Sequence, residues 1–207
     1  MVKKVKDTST EEKILTAAQK VFIAKGMDGA RMQDIANEAG INKALLHYYF
    51  RSKENLFEVI LKQTAGQIFP HFEMVLASDT DFFDKIKQII NIYIDMGSLN
   101  PYPPLFILNE MNKSSEASKI VKTFFKDRPP VFFQKYIEEF EKNIKKGIVK
   151  KVKPEQVLIN IVSMCMFPFI AKPVLNILLK ANEQEFKELM QERKKIITDF
   201  VINSIKK

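Results

Sequence analysis

The stretch "AGINKALLHYYFRSKENLF", residues 39–57, decides the fold because it contains two helix starts on either side of one short helix. Asn42 is placed to cap a helix that runs to Tyr49, and Ser52 is placed to cap the helix that follows. Residues 41–53 carry three cations and no acid, with polar aromatic side chains beside them. A short helix with unopposed positive charge favours an anion-binding surface.

Two more helices are predicted upstream of this stretch. Apolar residues recur at three- and four-residue steps between Ser9 and Gly26, and a second, short helix is predicted from Arg31 to Glu38. Ala39-Gly40 closes the second helix, because glycine reaches left-handed backbone angles at little cost. Three helices in the first 50 residues, the last two joined by a tight turn, predict a helix-turn-helix.

The spacing of small and large residues supports this motif. Ala36 is small where the two helices approach, Gly40 makes the turn, and Leu46 fills the core between them. The other buried side chains are predicted to be Ile35, Ile41, Tyr49 and Phe50. The residues left on the outer surface are Lys43, Ala44, Leu45, His47 and Tyr48. A three-helix bundle with no DNA-related role could show the same pattern, so spacing alone leaves that alternative open.

The outer residues have the chemistry needed in a major groove, which admits one α-helix. Lys43 can donate to guanine O6 or N7, and Ala44 and Leu45 can touch a thymine methyl group. His47 and Tyr48 can reach bases or the sugar-phosphate backbone. Around them, Arg31 and Gln33 at the start of the second helix and Lys53 at the start of the fourth are candidate phosphate contacts.

The rest of the chain is also predicted to be helical, with no alternating pattern that would indicate a strand. Helices are expected after Ser52 and near 81–98, 104–112, 115–126, 130–147, 155–180 and 183–206. Asp79 is expected to mark the start of the first of those six, Pro70 to kink or break the helix after Ser52, and Pro168 and Pro173 to interrupt the helix at 155–180. The predicted fold is all-α.

Composition argues against several functional classes. The one cysteine, Cys165, carries no nucleophile motif, and the two histidines, His47 and His71, cannot form a histidine-rich metal site. No phosphate-binding glycine loop is present, so we expect no enzyme activity and no cofactor. The N-terminus shows no secretory signal, which predicts a cytoplasmic protein. The net charge is +8, but only +2 of it falls within residues 1–60.

Residues 32–57, "MQDIANEAGINKALLHYYFRSKENLF", resemble the DNA-binding signature of the TetR family of bacterial transcriptional regulators. The matching elements are Asp34-Ile35-Ala36, Ala39-Gly40-Ile41-Asn42, Leu46-His47, Tyr49-Phe50 and Ser52-Lys53-Glu54-Asn55-Leu56. The resemblance covers about residues 10–60. It implies an N-terminal three-helix helix-turn-helix domain, residues 1–52, and a larger helical ligand-binding and dimerisation domain, residues 53–207.

The resemblance also implies which residues contact DNA. The family's contact positions fall on Gln33, Asn42, Lys43, Ala44, Leu45, His47, Tyr48, Tyr49 and Lys53. Two positions depart from the pattern. His47 stands where tyrosine is usual, so the interaction with DNA there is expected to be lost, altered or made pH-sensitive. Ala30 stands where a threonine often caps the second helix, which leaves that cap to Gly29 or Asp28.

For the larger domain, the family resemblance implies a homodimer through the last two helices, which are too apolar to be covered by one subunit alone. A fully intramolecular core is the alternative. The middle of the chain is rich in aromatic residues and methionines, which form either a plain core or a pocket for an apolar or amphipathic ligand. The candidate ligand residues are Phe69, His71, Phe72, Tyr93, Phe106, Asn109, Glu110, Phe132 and Tyr136.

Together these features predict a ligand-responsive repressor that binds a pseudo-palindromic double-stranded DNA operator as a homodimer and is released by a small effector. Two alternatives remain: a DNA-binding regulator that activates transcription or senses no ligand, and an architectural protein that binds DNA without sequence preference.

Overall fold

The computed structural model describes residues 8–100, 106–107, 109–110, 112, 116–127 and 131–207. These residues are mostly helical, with one isolated β-bridge between Val149 and Lys206. The helices are α1 (Thr8–Gly29), α2 (Met32–Glu38), α3 (Lys43–Tyr49), α4 (Lys53–Ala77), α5 (Phe82–Leu99), α6 (Glu116–Asp127), α7 (Val131–Lys145), α8 (Pro154–Ile170), α9 (Lys172–Leu179) and α10 (Glu183–Ile205). The predicted all-α fold is confirmed. Of the helix predicted at 104–112, the structure describes residues 106–107, 109–110 and 112, and the first four of these are helical.

Two predictions about helix ends and breaks need correction. Asp81, and not Asp79, caps α5, because its Oδ1 accepts hydrogen bonds from the N–H groups of Phe83 (2.7 Å) and Asp84 (3.1 Å). Pro70, predicted to kink or break this helix, does not break it, since α4 continues through it to Ala77. Pro70 removes one hydrogen bond from a 25-residue helix that is buried on both sides of it, so packing maintains the helix.

The helix predicted at 155–180 is interrupted, but at Ala171. Pro168 lies inside α8, whereas Pro173 lies in the first turn of α9, where its missing N–H removes no helical hydrogen bond. The axes of α8 and α9 are bent by 74°. Among the described helices, none alone has the length and apolar composition to cross a bilayer; the bent α8–α9 pair has them only in combination.

The chain divides into two compact units, Met1–Gly66 with Tyr102–Pro129 and Gln67–Pro101 with Pro130–Lys207. The division falls inside α4, after Gly66. In a regular helix the Gly66 carbonyl would accept a hydrogen bond from the N–H of residue 70, which is a proline and has none. The predicted domains, 1–52 and 53–207, remain a prediction.

The first unit has its own aromatic core. The ring of Phe22 on α1 lies 6.1 Å from the ring of Phe57 on α4, edge to face, and 5.9 Å from that of Phe106, stacked. Ile35, Ala36 and Leu46 from α2 and α3 are fully buried in the same cluster. This core fixes the orientation of α2 and α3 on α1 and α4.

In the second unit, α5 packs against both α8 and α10, and α7 packs against α8. The closest approach is at Gly97 on α5, where the ring of Phe169 on α8 occupies the space that a β-carbon would need. An ion pair also joins α10 to α5: the Nζ of Lys194 lies 2.5 Å from Oδ1 of Asp95. This unit is therefore a helical bundle built around α5.

Candidate nucleic-acid interface

The turn between α2 and α3 has the geometry that the sequence predicts. Gly40 has a φ of 65°, and no atom would obstruct a β-carbon there, so backbone conformation alone explains the glycine. The N–H of Ile41 donates to the carbonyl of Ala36 at 3.0 Å and closes the turn. Leu46 is fully buried beneath it. The two helices are thereby held as a helix-turn-helix.

The outer face of α3 presents the predicted residues to solvent. Oδ1 of Asn42 accepts a hydrogen bond from the N–H of Leu45 at 2.7 Å, so this side chain caps the helix. The exposed residues of the face are Lys43, Ala44, Leu45, His47 and Tyr48. No acidic residue lies on α3. The face combines one cation, two small or apolar groups and two polar aromatic groups.

The aromatic end of α3 is partly fixed by internal contacts. Nδ1 of His47 lies 3.1 Å from the carbonyl oxygen of Arg51, which requires a proton on Nδ1 and leaves Nε2 for another partner. The rings of Tyr48 and Tyr49 meet edge to face at 5.5 Å. Tyr49 is half-buried against the core, so of the two tyrosines Tyr48 is the more accessible to a ligand.

Gly29 or Asp28 is expected to cap the start of α2, but the structure shows a different arrangement. The backbone N–H of Arg31 donates to Oδ2 of Asp34 at 3.2 Å, and Nζ of Lys25 pairs with the same oxygen at 2.9 Å. Lys25, followed by the Arg31 N–H, holds the pKa of Asp34 below its usual value. The Asp34 carboxylate therefore satisfies the N–H of the residue that precedes α2. Arg31 and Gln33 are exposed on this turn, and Nε2 of Gln33 donates to Asn37 at 2.8 Å.

Lys53 has a contact that the sequence does not reveal. Its Nζ donates to the carbonyl of Met27 at 2.9 Å and lies 3.4 and 3.5 Å from the carbonyls of Asp28 and Ala30. Met27 and Asp28 follow the non-helical Gly26 in the last turn of α1, and Ala30 comes directly after that helix. The cation at the start of α4 therefore fastens α4 to α1, which compensates for its unfavourable position on its own helix.

We expect Lys53→Met to lower the free energy of unfolding by about 1–2 kcal/mol, because three carbonyls lose a charged donor. If Lys53 acts by positioning α4, the salt dependence of DNA binding should be unchanged; removal of a phosphate ligand would instead reduce its slope by about 0.9. Urea unfolding and DNA titration across a salt series measure the two quantities.

Lys62→Met is the control for that experiment, since Lys62 is also on α4 but forms only an exposed pair with Glu58. A reduced salt slope in Lys53→Met with unchanged stability would identify Lys53 as a phosphate ligand instead.

The predicted ligand residues fall into both compact units. In the second unit, the rings of Phe69, Phe72, Tyr93 and Phe132 form one connected group, with Phe72 4.7 Å from Tyr93 and 5.2 Å from Phe132. The hydroxyl of Tyr136, which is buried in the same unit, donates to the carbonyl of Pro154 at 3.3 Å. His71 is exposed.

The other predicted ligand residues belong to the first unit. Phe106 lies in its aromatic core, Glu110 is buried and Asn109 is exposed. The structure thus brings together five of the nine residues. Phe69, Phe72, Tyr93 and Phe132 form what we call the aromatic cluster of the second unit, and Tyr136 belongs to the same hydrophobic core.

A polar cavity of about 520 Å³ lies elsewhere in the second unit, lined by residues of the α4–α5 loop and the end of α7. The sequence reasoning missed its buried cation, Lys85, whose Nζ donates to the carbonyl of Leu76 at 3.3 Å and lies 3.6 Å from Glu139. In the sequence, the burial of Lys85 is indicated only by its position between Phe82 and Ile86, on the buried face of α5.

Neither catalysis nor a metal site gains support from the described residues. They contain no cluster of three or more metal-ligating side chains. Burial raises the pKa of the Cys165 thiol to about 12, so this group stays protonated and is a poor nucleophile.

Comparison with known proteins supports the same motif. Residues 14–60 match the model of the bacterial regulatory proteins of the tetR family. An HTH-type transcriptional regulator of Mycobacterium tuberculosis is 31% identical over 91 residues, which cover 44% of this chain and 38% of that protein. The HTH-type transcriptional repressor NicS of Pseudomonas putida is 43% identical over 53 residues, covering 26% of this chain and 25% of NicS. The sequence matches thus span well under half of each of these two relatives.

The fold likeness extends further than the sequence likeness. The ketosteroid transcriptional regulator KstR2 of Mycobacterium tuberculosis superimposes with a TM-score of 0.71 at 16% identity, over 99% of this chain and 97% of KstR2. The helix-turn-helix geometry, the family match at residues 14–60 and this whole-chain fold agree. Residues 14–60 are therefore similar to the DNA-binding region of the TetR family of bacterial regulatory proteins, and the chain as a whole has the fold of KstR2.

Proposed function

We propose that the chain represses transcription by binding a pseudo-palindromic operator as a homodimer, and that a small apolar or amphipathic effector releases it. The observation that carries the proposal is the exposed, acid-free face of α3 held on the buried Leu46. Such a helix can enter a major groove, where Lys43 donates to guanine and Ala44 and Leu45 meet thymine methyl groups.

A homodimer is supported by apolar side chains that one chain leaves uncovered. On α10, Leu189, Ile196 and Phe200 are spaced by seven and four residues and share one exposed face. Residues of α8 and α9 are exposed as well: Ile159, Phe167, Ile170, Val174, Ile177, Leu178 and Leu179. Exposed apolar surface of this extent is typical of a protein interface. Two copies would also double the number of base contacts and read two half-sites.

An effector is supported by the aromatic cluster of the second unit. Burial raises the pKa of the Tyr93 hydroxyl, which keeps it a neutral donor, and it forms no hydrogen bond with a described residue. A ligand carbonyl or hydroxyl could accept from it while apolar atoms meet the rings. The rings of the cluster are in close contact with one another, however, which leaves little space for a ligand. These contacts favour the alternative function, a regulator that senses no ligand.

If an effector does release the operator, linkage requires that operator DNA weaken effector binding by the same factor. If a saturating concentration of effector left the affinity for the operator unchanged, the proposed release by that effector would be wrong.

The test of operator binding is selection of bound fragments from the source genome, followed by footprinting and titration. We expect protection of a two-fold symmetric site. Lys43→Ala should weaken binding to it by about 1–3 kcal/mol because the hydrogen bonds to a base are removed. Lys122→Ala, which removes the same charge from an exposed position on α6, is the control and should bind normally. Equal binding of all fragments would instead indicate the architectural alternative.

For the dimer, we expect Phe200→Glu to shift the protein from dimer to monomer in sedimentation velocity, because two carboxylates would face an apolar interface. Met74→Glu is the matched control, since Met74 is similarly exposed on α4, outside the proposed interface. A Phe200→Glu protein that stayed dimeric would place the interface on another surface.

A further inference from the structure

A dense group of lysines lies at the end of α7 and in the segment after it. Residues 142–153, "KNIKKGIVKKVK", contain six lysines and no acid. The C-terminal Lys206 and Lys207 join them, because Val149 forms a β-bridge with Lys206. The backbone N–H of Lys150 also donates to the Ile205 carbonyl at 2.8 Å. We call these eight residues the lysine patch: Lys142, Lys145, Lys146, Lys150, Lys151, Lys153, Lys206 and Lys207.

The lysine patch accounts for the whole excess charge of the protein. The chain has 33 basic and 25 acidic residues; without the eight lysines of the patch it would have 25 of each. The remainder of the chain is therefore neutral in sum. The N-terminal 60 residues, which include α3, carry 10 basic and 8 acidic residues.

Structural roles explain only part of the patch. Nζ of Lys150 donates to the carbonyls of Asn203 and Ser204 at 3.4 and 3.2 Å and so caps α10. Lys142 lies 4.0 Å from Glu139, and Lys206 lies 5.9 Å from the centre of the Phe83 ring.

The helix dipoles do not account for the other lysines. The C-termini of α7 and α10 supply about half a negative charge each, far less than eight positive charges. Five lysines remain, all exposed and without a side-chain hydrogen bond or ion pair to a described residue: Lys145, Lys146, Lys151, Lys153 and Lys207. Their mutual repulsion opposes folding slightly unless an anionic partner binds.

We propose that the lysine patch is a second contact for DNA, which binds phosphates without reading sequence. The lysine ammonium is a compact charge that suits single phosphate oxygens, and the patch has none of the planar guanidinium or amide groups that read bases. Because the rest of the chain is neutral in sum, the patch supplies the long-range attraction to a polyanion. The choice of DNA over other polyanions rests on the proposed function.

The test compares two variants with the same loss of charge. The patch variant changes the five exposed, unpaired lysines to glutamine: K145Q, K146Q, K151Q, K153Q and K207Q. The control variant changes five exposed lysines elsewhere: K87Q, K122Q, K126Q, K135Q and K187Q. Both are titrated as full chains with a duplex that lacks the operator, across a salt series, after their folding has been checked by circular dichroism.

We expect the patch variant to bind this duplex about tenfold or more weakly at low salt, with a salt slope reduced by about 0.9 for each phosphate that it no longer neutralises. The control should keep the wild-type slope. Equal losses of affinity in the two variants would overturn the proposal, since overall charge would then explain them. So would unchanged DNA binding by the patch variant combined with loss of binding to vesicles of anionic lipid, which would identify a membrane surface as the partner.

A second measurement needs no variant: acetylation of wild-type lysines with and without DNA, read by mass spectrometry. DNA should protect the five patch lysines and not the five control lysines; no difference would count against the proposal. Failure of the lysine-patch proposal can be distinguished from failure of the proposed function. Lys43→Ala tests the proposed function alone, because it weakens operator binding only if α3 reads DNA. The patch variant, by contrast, should retain its preference for the operator.

Discussion

Replacing Arg193 by methionine should lower the free energy of unfolding by about 1–3 kcal/mol, and adding Pro168→Ala should restore most of that loss. The guanidinium of Arg193 on α10 donates twice, through Nε and an Nη, to the carbonyl of Met164 on α8, both at 3.0 Å. That carbonyl is available because the residue four positions later is Pro168, which has no N–H. Arginine thus replaces the missing helical hydrogen bond.

The double-mutant cycle separates this mechanism from simple loss of packing. Pro168→Ala supplies an N–H to Met164, so Arg193→Met should cost much less in the alanine background than in the wild type. Urea unfolding of the four proteins gives the coupling energy. Arg193→Lys serves as the conservative control, since lysine keeps the charge but cannot donate in the same fork. Equal costs in both backgrounds would mean that Arg193 stabilises the bundle by other contacts.

The helix-turn-helix can be predicted from sequence because every signal in it is local. Asn42 caps α3, Gly40 makes the turn and Leu46 is buried, and each of these roles follows from spacing within about ten residues. The outer face of α3 can be predicted for the same reason, since helical periodicity alone separates Lys43 from Leu46.

Apart from the local caps formed by Asp34 and Asp81, the missed features depend on contacts between distant residues. Lys53 reaches carbonyls 23 to 26 positions earlier, and Arg193 reaches one 29 positions earlier, so no local pattern marks either. The assignment of Phe106 to a ligand site together with Phe72 follows from composition, which does not reveal that the two residues lie in different compact units. Helix propensity predicts a kink or a break at Pro70, and the helix is not broken there because side chains pack on both sides of that residue.

Two helical glycines should respond to alanine in opposite directions. Gly97→Ala should destabilise the protein by about 1–3 kcal/mol. A β-carbon on Gly97 would lie 2.8 Å from Cγ of Phe169 and closer still to Cδ2 and Cε2 of the same ring. Phe169 is itself buried and meets the ring of Phe186 at 6.1 Å, so it cannot move aside without disturbing α10. The glycine therefore sets the distance between α5 and α8.

Gly66→Ala is the matched control, because Gly66 is exposed inside α4 and, beyond its chain neighbours and the backbone of its own helix, no atom lies within 4 Å of where its β-carbon would be. Alanine should stabilise that site by about 0.5–1 kcal/mol, since it lowers the entropy of the unfolded chain and favours the helix. Thermal and urea unfolding of both variants measure the difference. Phe169→Leu should relieve part of the Gly97→Ala penalty by replacing the ring with a smaller side chain. If Gly97→Ala were as harmless as Gly66→Ala, α5 and α8 could separate freely, and the close packing at Phe169 would not limit the distance between them.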